Sequence, residues 1–225
     1  MSKKEEKKHD ELQNVEHALT ASEAFIEKYQ KQLLMAVAAV VLVVLAVLAV
    51  KNFYLEPLEI DAQNEMAKAQ TYFATDSFNI ALNGNGNDVI GFKEIASEYS
   101  LTASGNLATA YAGISYYKLG QYDNAIKFLS QFDGEDSYFT TSVVGLIGDA
   151  YVELGKTEKG ISYFEKAAGA KNKVLSPVYL KKAGIAYESL KKTEKALESY
   201  TKIKDEYPRS QEAADIEKYI ARVQK

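Results

Sequence analysis

The sequence predicts an all-α protein: an α-solenoid of about four helix-pair units with a C-terminal capping helix, preceded by one transmembrane helix. Three observations predict it. An unbroken apolar run extends from Leu33 to Val50. A set of glycine, tyrosine, leucine and small-residue positions recurs at spacings of 35 and 36 residues between 106 and 208. The stretch 210–225 carries its apolar residues on one helical face.

The apolar run is eighteen residues without a polar side chain, the lower end of what spans a bilayer. Its five Leu and seven Val favour insertion by about 5 kcal/mol. Valine alone would suit a strand, but an open strand in lipid leaves its backbone polar groups unpaired. An uncleaved anchor is preferred to a buried core helix. It is also preferred to a cleaved signal peptide, because thirty-two residues precede the run and no A-x-A-like site follows it. Tyr29 and Tyr54 stand where interfacial aromatics belong. The anchor is assigned to 32–55, so the lipid bilayer is a partner through Leu33 to Val50.

The tail, 1–31, carries Lys3, Lys4, Lys7, Lys8, Lys28 and Lys31, whereas Lys51 is followed by Glu56, Glu59, Asp61 and Glu65. The positive-inside rule then puts the N-terminus in the cytoplasm and the domain outside it, in a bacterium in the periplasm. Leu12, Val15, Leu19, Ser22, Ile26, Tyr29 and Leu33 follow a 3,4 spacing, and Thr20 with Glu23 reads as a capping box. That stripe suits a juxtamembrane amphipathic helix on the headgroups or a short coiled coil; three heptads are marginal for the second. The first eleven residues read as disordered.

The remaining 56–225 form the solenoid. Gly113, Gly148 and Gly184 are each followed three residues on by Tyr116, Tyr151 and Tyr187, and then by Leu119, Leu154 and Leu190. Small residues follow at Ala125, Gly160 and Ala196, then Leu129, Phe164 and Tyr200, then Phe132, Ala167 and Ile203. A small residue on each of two antiparallel helices lets their backbones approach, and the bulky residues fill the adjoining grooves. Gly120 and Gly155 follow the first helix of their units, where a left-handed cap wants glycine. Lys191 stands there in the third unit, so a different turn is expected. Asp123, Asn124 and Thr157 are the expected N-caps of second helices.

Period and columns together resemble the tetratricopeptide-repeat (TPR) family, with Pro208 in its proline column. Thr109, Val144 and Leu180 depart from the pattern at its first aromatic column. The units are placed at about 106–140, 141–175 and 177–208, with the capping helix at 210–225. Upstream, 58–104 reads as a degenerate unit. Ile60, Met66, Ala69 and Phe73 mark one of its helices and Phe92, Ile95, Ala96 and Tyr99 the next, with a flexible loop through Asn83 to Asn87 between them. Asp133 to Asp136 lacks EF-hand spacing and reads as a solvated turn.

Function classes narrow by composition. Cysteine is absent, which removes disulfides, thiolate nucleophiles and Cys-based zinc sites. The only histidines are His9 and His17, so the domain can hold neither a Ser-His-Asp arrangement nor a His-rich metal site. No catalytic residues, cofactor or metal are therefore expected, although carboxylate-only chemistry stays formally open. Net charge is −4 and arginine occurs only at Arg209 and Arg222, leaving no basic patch for nucleic acid.

Stacked helix pairs form a concave groove that binds segments of other proteins. Resemblance to the family implies that groove residues come from the first helix of each unit. The matching positions are Ala110, Ile114, Tyr117 and Lys118, then Gly145, Asp149 and Val152, then Lys181, Ile185 and Glu188. They lack the basic set that some cytosolic relatives use to clamp a C-terminal carboxylate. The layout of tail, anchor and exported solenoid, with Ala21 to Tyr29 leading into the apolar run, resembles YfgM-type ancillary subunits of the SecY translocon. That resemblance implies translocon subunits, envelope chaperones or exported clients as partners. A cytosol-facing receptor of opposite topology is the alternative, and a homo-oligomer stays open.

Overall fold

The computed structural model describes residues 28–134 and 136–225, and no strand occurs among them. The chain divides into two units, Met1–Glu56 and Pro57–Lys225. The tail helix and capping box expected before residue 28 lie outside the described residues.

In the first unit, residues 28–50 form a helix, α1, and Lys51–Leu55 continue with the wider π-type hydrogen bonding. Every residue of the apolar run is exposed, Leu42 to 67% and Met35 to 65%. Among the described residues, the helical stretch Lys28–Ala74 alone is long and apolar enough to cross a membrane.

The second unit is built from α2 (Glu56–Ala74), α3 (Phe78–Asn83), α4 (Phe92–Glu98), α5 (Ala103–Lys118), α6 (Tyr122–Leu129), α7 (Ser137–Glu153), α8 (Thr157–Ala168), α9 (Leu175–Ser189), α10 (Thr193–Glu206), a 3₁₀ turn (Glu212–Asp215) and α11 (Ile216–Val223). Each helix from α4 to α10 packs on the next, which is the order of a solenoid. The pairs α5/α6, α7/α8 and α9/α10 are the three repeat units.

The recurring columns explain the pairing. A β-carbon at Gly113 would lie 2.6 Å from Leu129 Cγ, one at Gly148 2.7 Å from Phe164 Cδ1, and one at Gly184 2.3 Å from Tyr200 Cε1. In all three units the glycine of the first helix is thus the seat for the bulky residue of the second. Ala125 and Ala196 are fully buried at the crossing, and Gly160 abuts the Gly148 backbone. Tyr200 is itself completely buried, which contributes roughly 1.5–3 kcal/mol as for other large apolar side chains. The tyrosines of the first helices close the sides: Tyr116 packs on Phe128 and Tyr151 on Tyr163, while the Tyr187 hydroxyl donates to Glu165 at 2.6 Å.

The turn inside the third unit corrects an expectation. Lys191 takes the same left-handed conformation as the glycines, with φ +58° against +74° at Gly120 and +71° at Gly155. The capping bonds are also the same. Gly120, Gly155 and Lys191 N–H donate to Tyr117, Val152 and Glu188 carbonyls at 3.0, 2.8 and 2.8 Å. Gln121, Lys156 and Lys192 N–H donate to Tyr116, Tyr151 and Tyr187 carbonyls, each at 2.9 Å. Packing on both sides holds the turn, and lysine carries the strain. The expected N-caps shift as well. Gln121, Lys156 and Lys192 precede these helices, and Asp123, Asn124 and Thr157 lie in the first turns, where Asp123 favours the helix dipole.

The degenerate unit contains one helix more than its pattern suggested, the short α3, with Ala81 and Leu82 buried. In the following loop Asn85 Oδ1 accepts N–H bonds from Asn87, Asp88 and Val89 at 3.0, 3.2 and 3.1 Å. Gly84 and Gly86 supply the positive φ that this turn requires. The turn before α7 is settled by Asp136, whose Oδ1 accepts from the N–H groups of Tyr138 and Phe139 as an N-cap. At the other end, α11 buries Ile216 and Ile220 against the last pair and so terminates the stack.

Candidate functional site

The first helices α5, α7 and α9 line up and leave an open hollow of about 220 Å³ between them. Ile114 of α5 forms one wall and Tyr179 of α9 the other. Between them α7 presents Phe139, Ser142, Val143, Leu146 and Asp149, which helical spacing of three and four residues places on one face. The lining is mainly apolar, and Asp149 is its one charged side chain.

Gly145 decides the depth. A β-carbon there would fall 2.0 Å from Cε1 and 2.1 Å from Cζ of Tyr179, so glycine lets the ring lie flat on α7. Tyr179 stacks on Phe164 with ring centroids 6.4 Å apart, which locks its orientation. A chain of ring contacts, Phe73–Tyr111 at 5.1 Å and Tyr111–Phe139 at 6.4 Å, connects this wall to α2.

Lys182 Nζ, on α9, donates to both carboxylate oxygens of Asp149, at 2.8 and 2.6 Å. Lys182 Nζ also lies 5.7 Å from the ring centroids of Phe164 and of Tyr179. Burial pushes the Asp149 carboxyl above its ordinary range, the Lys182 ammonium opposes that, and the Glu153 carboxylate adds to it. Tyr117, on α5, is pushed up to about 12 by burial and then by the carboxylates of Asp149 and Glu153. These four groups therefore share one electrostatic environment at the rim.

The ten positions assigned by repeat register separate into four kinds. Ile114 and Asp149 line the hollow, and Tyr117 adjoins it. Lys118, Val152 and Ile185 are exposed on the same three helices. Ala110 and Gly145 are buried and present no surface. Lys181 and Glu188 are engaged with the capping region instead. Lys181 pairs with Asp215 at 2.7 Å and lies 4.5 Å from the Tyr219 ring centroid. Glu188 accepts from Arg222 Nε at 2.9 Å and Nη2 at 2.6 Å, and from the Tyr200 hydroxyl. Register missed Phe139, Ser142, Val143, Leu146 and Tyr179, although steps of three and four residues back from Asp149 along α7 reach all but Tyr179.

A second cavity, about 350 Å³, lies between α8, α9 and α10. On its rim Lys202 pairs with Glu198 at 2.8 Å and the Tyr187 hydroxyl donates to Glu165 at 2.6 Å. Among the described residues no group of three or more His, Cys, Asp or Glu side chains is placed to hold a metal ion.

Comparison with known proteins agrees with this geometry. Tetratricopeptide-repeat family models match residues 111–133, 142–173 and 179–210. Two solved structures share the fold, the nearly identical TPR-like repeats assigned to a Podosopora anserina kinesin light chain and a point-substituted form of the same repeats. Each aligns at a TM-score of 0.54 and 12% identity, over 72% of this chain and 84% of the other. No curated protein sequence matches the chain. The matched segments coincide with α5 to α10, the helices that build the hollow and seat its glycines. Residues 111–133, 142–173 and 179–210 are thus similar to tetratricopeptide repeats, and such repeats indicate a protein–protein interaction scaffold.

Proposed function

We propose that this chain is a membrane-anchored scaffold that binds segments of partner proteins along α5, α7 and α9, and that it assists protein translocation or envelope protein biogenesis. Translocon subunits, envelope chaperones or exported clients are the partners of this reading. The observation that carries it is the hollow between Ile114, Leu146 and Tyr179: an open apolar surface on three consecutive first helices, with further exposed apolar side chains at Val152 and Ile185. Apolar surface left open on a rigid face suits a docked segment, because covering it releases water while the face loses little entropy.

The anchor rests on the exposed run from Leu33 to Val50, and the orientation on the lysines that precede it. The assignment to translocon and chaperone partners rests on the resemblance in layout. The absence of native cysteine makes topology easy to test. Single cysteines are placed at Ser130, which is exposed after α6, and at Ser2. Intact cells, with any outer membrane permeabilised, are treated with a membrane-impermeant maleimide. Labelling of Ser130→Cys alone is expected, and crosslinking from Val152 should then reach translocon subunits or chaperones. Labelling of Ser2→Cys alone puts the domain in the cytosol and replaces the reading with a cytosol-facing receptor.

A further inference from the structure

The hollow is small for a metabolite. Small-molecule sites run to about 300–1,000 Å³ and enclose their ligand, whereas this one is about 220 Å³ and open. Its size suits one anchoring side chain of a larger partner. The walls supply only apolar contact and two neutral hydroxyls, from Ser142 and Tyr179, and the Tyr179 hydroxyl leans back toward the Ser142 carbonyl at 3.5 Å. Charge enters only at the edge. Asp149 and Glu153 lie one turn apart on α7, so their carboxylates share a side of the helix. Lys182 answers Asp149, but exposed Glu153 has no ion-pair partner among the described residues. Lys181, the other α9 cation on this side, is committed to Asp215. The rim therefore keeps one uncompensated negative charge beside an apolar seat.

We propose that the hollow selects a partner segment presenting an aliphatic or aromatic anchor residue with a lysine or arginine within one helical turn of it, the anchor seated between Ile114, Leu146 and Tyr179 and the cation against Asp149 and Glu153. This rests on the binding face of the preceding section and names the chemistry of its occupant. It is the reverse of a carboxylate clamp: the protein offers the anion and the partner brings the cation. An acidic segment meets repulsion at the same edge.

The test uses the full chain in dodecylmaltoside micelles and three fluorescein-labelled 12-residue peptides of leucine and alanine, carrying lysine, glutamine or glutamate at the same positions. Empty micelles give the background for anisotropy. The lysine peptide should bind about two- to fivefold tighter than the glutamine peptide, the worth of one partly exposed ion pair, and the glutamate peptide weakest. Raising salt should shrink the preference. Asp149→Asn and Glu153→Gln should each cut the ratio of lysine-peptide to glutamine-peptide affinity. Glu153→Gln breaks no ion pair among the described residues, so it serves even where Asp149→Asn disturbs α9.

Equal binding of the lysine and glutamate peptides overturns the inference. If Leu146→Gln then still weakens all three peptides, the binding face stands and only its charge preference falls. If Leu146→Gln changes none, the face falls with it. A chain shortened to begin at Lys28 that gains affinity for every peptide would make its own tail the occupant, and would also overturn the proposal.

Discussion

Lys191→Gly should stabilise the domain. Lys191 holds φ +58° in a turn whose equivalents are Gly120 and Gly155, and its capping bonds match theirs to within 0.2 Å. Left-handed backbone costs an L-residue roughly 1–2 kcal/mol. Glycine avoids that cost, but it adds roughly 0.5–1 kcal/mol of freedom to the unfolded chain. The lysine side chain is exposed and forms no ion pair among the described residues, so removing it forfeits nothing further. The net gain is about 0.5–1 kcal/mol, which in a domain of this size raises Tm by about 1–4 °C. The assay is thermal unfolding of the full chain in detergent by far-UV circular dichroism. Lys191→Ala is the control, because it removes the lysine and keeps the strained φ; it should leave Tm unchanged. Gly120→Ala and Gly155→Ala should lower Tm by a similar step, since neither added methyl meets another atom within 4 Å and only the backbone is strained. A Lys191→Gly variant that melts at or below the parent, while both alanine variants fall, would refute the reasoning that backbone strain is stored in this turn.

Gly145→Ala should destabilise by about 1–2 kcal/mol in the same melts: overpacking against the Tyr179 ring outweighs the gain in helix propensity. It should also weaken peptide binding, because Tyr179 is a wall of the hollow. Glu188→Gln should loosen α11, costing about 1–2 kcal/mol through the lost charge-assisted bonds to Arg222 and Tyr200. Burial alone would raise the Glu188 carboxyl, but the Arg222 and Tyr200 bonds outweigh it and hold it below the ordinary carboxylate range. A depressed folded value means that this stabilisation is complete above the unfolded value near 4.5 and is lost as pH falls through the lower folded one. The parent's stability should therefore drop more steeply below pH about 4.5 than that of Glu188→Gln, as read from melts across that range. Glu59→Ala should speed amide exchange in the first turn of α5. Glu59 accepts from Ser104 N–H at 3.1 Å and Ser104 Oγ at 2.6 Å, and losing it costs about 1–2 kcal/mol of local stability.

Much of the architecture was readable in sequence because a repeat writes the same packing problem several times. Glycine at 113, 148 and 184 means little at one position. Recurring with Leu129, Phe164 and Tyr200 a fixed distance on, it specifies a helix crossing, and in the structure each glycine seats that residue. The degenerate unit shows the limit. With no second copy to align, α3, Phe78 to Asn83, carried no column that would mark it as a helix. The Lys191 turn failed for another reason. Local propensity argued against left-handed lysine, and the packing of α9 and α10 on both sides overrode it.

The site was less legible. Register names one position per repeat and takes each first helix to present the same face. The hollow instead draws five residues from α7 and one each from α5 and α9, because Tyr179 folds over Gly145 and closes the α9 side. Lys181 and Glu188 have the register of groove residues, yet the capping helix supplies Asp215 and Arg222 within bonding distance and claims them. The sequence by itself determined the helical period, the crossings of the repeat pairs and the apolar run, since these follow from local spacing and composition. Only the tertiary structure decided which side chains stay open at the first-helix face, because exposure depends on partners 30 or more residues away, and nothing in local spacing records their arrival.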